Sequence, residues 1–165
     1  MSGSYTGSMS GEERHGYRGV GDLGRDLSAV ARHPSALLRL LRGRSVGPAF
    51  RERLMLIVSG VHVCPYCIRL HGSLARRAGV SRAEVDRLLH GLVGDAPRAE
   101  LGALAYALHW AESDGRPEVG ARRELEQRYG TKPAAEIAAA LRLIRIGNLT
   151  GNALRGILPT RLLRR

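Results

Sequence analysis

Aromatic residues are scarce, at 4% of 165 residues, with one tryptophan and one phenylalanine. Stacking platforms for single-stranded nucleic acid need more of them. Lysine is scarcer still, since Lys132 is the only one and arginine supplies the rest of the basic charge. The formal net charge of +11 would permit an acidic partner. Yet Arg76, Arg77, Arg82, Arg122, Arg123, Arg142 and Arg145 are scattered, as on solvated helix faces, and the sharpest cluster is Arg161, Arg164 and Arg165. Nucleic acid is therefore not the expected partner. No apolar run approaches the roughly 20 residues needed to span a bilayer, so no membrane partner is expected. Residues 1–24 are rich in Gly and Ser and lack the apolar centre of a secretory signal, so they read as a disordered polar arm. The expected compartment is the cytoplasm, and the rest, 25–165, reads as one domain.

Alternating strand patterns are also missing, which leaves an all-α fold. A first helix is expected over Leu27 to Leu41, interrupted near His33 and Pro34, with Leu37, Leu38 and Leu41 buried. Phe50 to His62 follows with an apolar stripe of Leu54, Ile57, Val58 and Val61, and Pro65 to Ala78 is the third. Gly79 closes that helix, and Ser81 with Glu84 forms a capping box for the next, whose buried face is Val85, Leu88, Leu89 and Leu92. Leu101 to Ser113 and Glu118 to Tyr129 read as further helices. The most apolar runs from Pro133 to about Leu149, and the remainder, with Gly147, Gly151, Gly156 and Pro159, is expected to continue as a kinked or broken helix.

Only two cysteines occur, Cys64 and Cys67, and they form a Cys-x-x-Cys pair with Glu52 upstream and His71 downstream. Pro65 suits the first position of a helix. Cys67 and His71 are then neighbours one turn apart, on a stripe with Leu70, Leu74, Ala75 and Ala78. Both sulfurs fall at the helix start, where free N–H groups favour an anion, so a reactive thiolate is expected. Glu52 itself is either part of this chemistry or a first-turn carboxylate suited to the helix dipole.

In a reducing compartment such a pair is more often catalytic or metal-binding than a structural disulfide. A thioredoxin-like motif would follow a strand, and a c-type haem site would need His directly after the second cysteine, where Ile68 stands. Zinc would have to be assembled from Cys64, Cys67, His71 and either His62 or Glu52. Thiol redox chemistry is the remaining use.

The run Arg51-Glu52, eleven residues, Cys64-Pro65-Tyr66-Cys67, three residues, His71 resembles the core of the alkylhydroperoxidase D-like members of the carboxymuconolactone decarboxylase superfamily. The likeness extends from His33-Pro34 to Asn148-Leu149-Thr150-Gly151-Asn152. It implies an all-helical bundle assembled as a homo-oligomer, a trimer or hexamer. It further implies a dithiol that reduces hydrogen peroxide or organic hydroperoxides, with no other cofactor. By that likeness Cys67 is the peroxidatic thiolate and Cys64 the resolving thiol. Glu52, through water, and His71 pass protons to and from Cys67. The oxidised pair would be reopened by an external dithiol, a lipoyl group or a thioredoxin-like protein.

Some peroxidase members carry histidine directly before the second cysteine, where this chain has Tyr66. Tyr66 offers a phenolic hydroxyl or packs as an aromatic. His62 is a second auxiliary candidate if the loop folds back, and otherwise a helix-end cation. His109 and Trp110 read as core packing, with a cavity wall as their other use. Asn148 and Asn152 share a face and either bond across helices or cap a broken turn. Two other functions stay open: non-redox, decarboxylase-like metabolic chemistry with incidental thiols, and a non-enzymatic basic protein whose dithiol senses redox state.

Overall fold

The computed structural model describes residues 20–155. Residues 1–19 of the expected arm, and the cluster of Arg161, Arg164 and Arg165, lie outside the described residues. Within them the chain folds as eight helices without a strand, which agrees with the all-α expectation. They are α1 (Val20–Ala31), α2 (Pro34–Leu41), α3 (Pro48–His62), α4 (Pro65–Arg77), α5 (Arg82–Leu89), α6 (Leu101–Glu112), α7 (Val119–Tyr129) and α8 (Thr131–Arg155). Prolines open α2, α3 and α4, where the missing N–H costs nothing. Ser81 Oγ accepts from the backbone N–H of Glu84 at 3.1 Å, the expected cap of α5.

Helix α3 is the axis of the bundle. Every residue from Glu52 to Ser59 is buried, because α4, α5, α6 and α8 pack around it. Gly60 lets α5 approach: a Cβ there would stand 2.1 Å from the Leu89 carbonyl oxygen. Helix α8 lies along α3 and carries α1, α2 and α7 on its other sides. Leu40, Leu54, Leu56, Leu104, Ile137, Leu141 and Leu149 fill the space between. Each such side chain contributes about 1.5–3 kcal/mol through its removal from water.

Buried charges fasten the outer helices. Glu136 on α8 accepts from Arg39 Nε and from the backbone N–H groups of Ser45 and Val46 at 3.1–3.2 Å, clamping the connector before α3. Arg53 on α3 reaches Glu84 at 2.7 Å and Glu100 at 3.2 Å. Arg145 on α8 pairs with Asp26 of α1 and with Asp114 after α6. Each carboxylate here meets donors from a distant part of the chain.

Four expectations need correcting. Residues 20–24, assigned to the arm, are the opening of α1. In α2 it is Ala36 and Leu40 that face inward, leaving Leu38 and Leu41 exposed, because only one stripe of this two-sided apolar helix can meet α8. Leu70 and Leu92 are exposed too, at 56% and 60%. Finally, α8 runs unbroken through Gly147 and Gly151, which pack against the sulfurs, while Gly156 and Pro159 lie outside the described residues. No helix among the described residues is long and apolar enough to cross a membrane.

Candidate active site

The turn between α3 and α4 delivers the two sulfurs. Val63 ends α3 in the left-handed region, at φ 48°, and Cys64 follows as the extended residue that caps α4. Pro65 is the first helical residue and Cys67 lies two beyond it, in the first turn. Cys64 is fully buried and Cys67 is 9% exposed. Both are free thiols, with their sulfurs 2.9 Å apart. That is about 0.9 Å beyond a covalent S–S bond. Little beyond side-chain rotation is needed to join them.

The wall behind the sulfurs comes from α8. A Cβ at Gly147 would lie 3.9 Å from Cys67 Sγ, and one at Gly151 would lie 3.1 Å from Cys64 Sγ. Two glycines four residues apart thus lay bare a strip of helix backbone against the dithiol. Asn148, between them, accepts from Ser59 Oγ at 3.2 Å, and Asn152 Nδ2 donates to the His62 carbonyl oxygen at 2.7 Å. The asparagines bond across helices, with no broken turn to cap. Asn148 Nδ2 and Asn152 Oδ1 have no hydrogen-bond partner among the described residues.

One turn beyond Cys67, His71 Nδ1 donates to Glu52 Oε2 at 2.7 Å. Arg51 Nε holds the other carboxylate oxygen at 3.0 Å. Burial raises the Glu52 carboxyl, but the bonds from His71 and Arg51 outweigh it and leave Glu52 below its usual range. Glu52 is therefore an anion at neutral pH. It fixes the His71 tautomer, so Nε2 is the ring atom left to exchange a proton. The carboxylate touches the imidazole directly.

The resting thiol is not the expected thiolate. Burial, together with the neighbouring Cys64, pushes the Cys67 thiol up to about 12. The helix start favours an anion, but removing the sulfur from water opposes it more strongly.

Of the auxiliary candidates, Tyr66 is half-buried and packs against the core. His62 is held at the end of α3, its Nδ1 donating to Val58 O at 2.9 Å. Burial keeps its imidazole below the ordinary value, and Arg145, Asp114 and Asp26 are its charged neighbours. Trp110 is core, as expected. His109 lines a cavity of about 370 Å³ between α6 and α7 that none of the four motif residues borders. Among the described residues no three His, Cys, Asp or Glu side chains converge as a metal would require, so the zinc set is not assembled.

Ser59, Gly147 and Gly151 are the site residues that motif reading missed. The one available signal was the spacing of four shared by Gly147 with Gly151 and Asn148 with Asn152.

Comparison with curated proteins and with solved structures returned no match. The family model described as the carboxymuconolactone decarboxylase family matches residues 28–113, more than half of the chain, from within α1 to just past α6. That span holds the dithiol, its histidine and its glutamate within an all-helical build, and the chain belongs to the carboxymuconolactone decarboxylase family.

Proposed function

We propose that this protein is a thiol-dependent peroxidase or disulfide reductase of the alkylhydroperoxidase D type. The observation that carries the reading is the 2.9 Å contact between Cys64 and Cys67, one turn before a histidine already held by Glu52. In the proposed cycle His71 Nε2 takes the Cys67 proton as the sulfur attacks the peroxide. The O–O bond breaks, Cys67 becomes a sulfenic acid, and the leaving oxygen receives the proton as alcohol or water. Cys64 then displaces hydroxide from that sulfur, water leaves, and a disulfide forms. An external dithiol, lipoyl-bearing or thioredoxin-like, supplies the two electrons that reopen it.

A base positioned by a carboxylate fits a thiol held in its neutral form until substrate arrives. The reading also includes a cytoplasmic homo-oligomer, for which the exposed leucines Leu38, Leu41 and Leu70 offer apolar surface. Non-redox family chemistry would leave the thiols incidental.

Turnover of hydrogen peroxide and cumene hydroperoxide with a panel of dithiol donors tests the proposal. Cys67→Ser is expected to abolish it and Cys64→Ser to stop it after one sulfenic acid. Full activity in both variants would refute it.

A further inference from the structure

A second cavity, of about 170 Å³, opens where α1 and α7 meet α8, and none of the dithiol residues borders it. Arg32, Arg122 and Arg142 line it, along with His33. The rest of its lining is aliphatic, chiefly Ala135 and Ala138 of α8 with Ala29 and Val30 of α1. Among the described residues no carboxylate contributes to that lining.

Each arginine is steadied by a partner outside the cavity wall. Arg32 donates to the Ser28 carbonyl and hydroxyl oxygens at 3.1 Å, a neutral partner. Arg122 is held by Glu126 one turn away at 3.0 Å, and Arg142 by Asp26 at 3.2 Å. Asp26 is shared with Arg145, whose second partner is Asp114, so two carboxylates balance these two guanidinium groups. The Arg142 guanidinium also lies over the Trp110 ring, 6.0 Å from its centroid. Three arginines are thus held around one small volume before any ligand arrives, Arg122 and Arg142 by carboxylates and Arg32 by neutral oxygens. A guanidinium carries five N–H donors, and the bonds just described use one or two of each.

We infer that this cavity binds a small organic dianion, a phosphomonoester with a short apolar body. Arg32, without a carboxylate partner among the described residues, favours an anion beside the ion-paired Arg122 and Arg142, and guanidinium forks match phosphate oxygens in geometry. The alanines give the apolar body a surface where no side chain blocks it. The volume falls below the roughly 300 Å³ at which drug-sized sites begin, so the ligand is small. This inference is independent of the dithiol reading.

Calorimetric titration of the full chain at low ionic strength and pH 7.5 tests it, with phenyl phosphate, inorganic phosphate and benzoate as probes. Phenyl phosphate is expected to bind about tenfold more tightly than either of the others, and Arg32→Gln and Arg122→Gln each to weaken it about tenfold. Both arginines are exposed, so thermal stability should be unchanged. Ala138→Leu, which keeps every charge and fills the cavity, is expected to abolish binding. The inference is overturned if no probe binds at millimolar concentration, or if benzoate binds as well as phenyl phosphate. It is equally overturned by equal affinity in parent and arginine variants, or by undiminished binding to folded Ala138→Leu. Should Ala138→Leu fail to fold, the two arginine variants decide alone.

Discussion

Gly151 and Cys64 meet across the α4–α8 contact, where a Cβ on the glycine would come within 3.1 Å of the sulfur. A methyl group there has to move a fully buried thiol. Gly151→Ala is expected to cost about 1–3 kcal/mol by overpacking. It should also slow the loss of two thiols after one equivalent of peroxide, read by thiol titration. Parent-like stability and thiol loss would show that α8 does not set the sulfur's position.

The Glu52 carboxyl is held below its usual range, so its ion pairs favour the fold above the unfolded value of 4.5. That contribution is lost as pH falls through the lower, folded value. Glu52→Gln should therefore cost about 1–3 kcal/mol at neutral pH and narrow the gap to the parent in acid. Urea unfolding at pH 7 and below pH 4 checks the sign. A gap that widens in acid would contradict it.

For Cys67 the sign is opposite, since burial beside Cys64 favours the thiol up to about 12. In Cys64→Ser, which removes one of the two causes, alkylation of Cys67 by iodoacetamide should still climb with pH through the neutral range. The slope should approach about tenfold per pH unit, as for a thiol titrating far above neutrality. A plateau below pH 8 would mean that the helix start outweighs burial. His71→Ala should leave that alkylation profile nearly unchanged while slowing peroxide reduction about 10²-fold or more.

Val63 adopts a left-handed conformation that β-branched residues avoid, and its side chain is 49% exposed. Glycine there removes about 1–2 kcal/mol of steric cost and adds back about 0.5–1 kcal/mol of chain entropy. Val63→Gly is expected to raise the melting temperature by about 1–4 °C. A lower melting temperature would show that the valine side chain makes a compensating contact.

Local signals made the helices and the dithiol turn readable. Proline at a helix start, Ser81 with Glu84, and apolar residues spaced by three and four all act within one or two turns. The sulfur pair, three residues apart, belongs to the same range. Beyond it the reading weakened. Leu38 and Leu41 look as apolar as Leu40, and only the position of α8 decides which stripe is covered. Gly147 and Gly151 looked like breakers because the sulfurs that need their bareness lie more than 70 residues earlier. The ionisation of Cys67 went the same way: helix position is local, whereas desolvation comes from everything packed around it. Arg145 with Asp26, 119 residues apart, has no sequence signature at all.

The strip of backbone at Gly147 and Gly151 lies more than 70 residues after the two sulfurs, so it leaves the ribosome well behind them. Until it docks, the nascent thiols have no back wall and stand open to mispairing with any passing oxidant. Synthesis order alone therefore gives this protein an interval of vulnerability, ended only when its longest helix emerges and closes over the sulfurs.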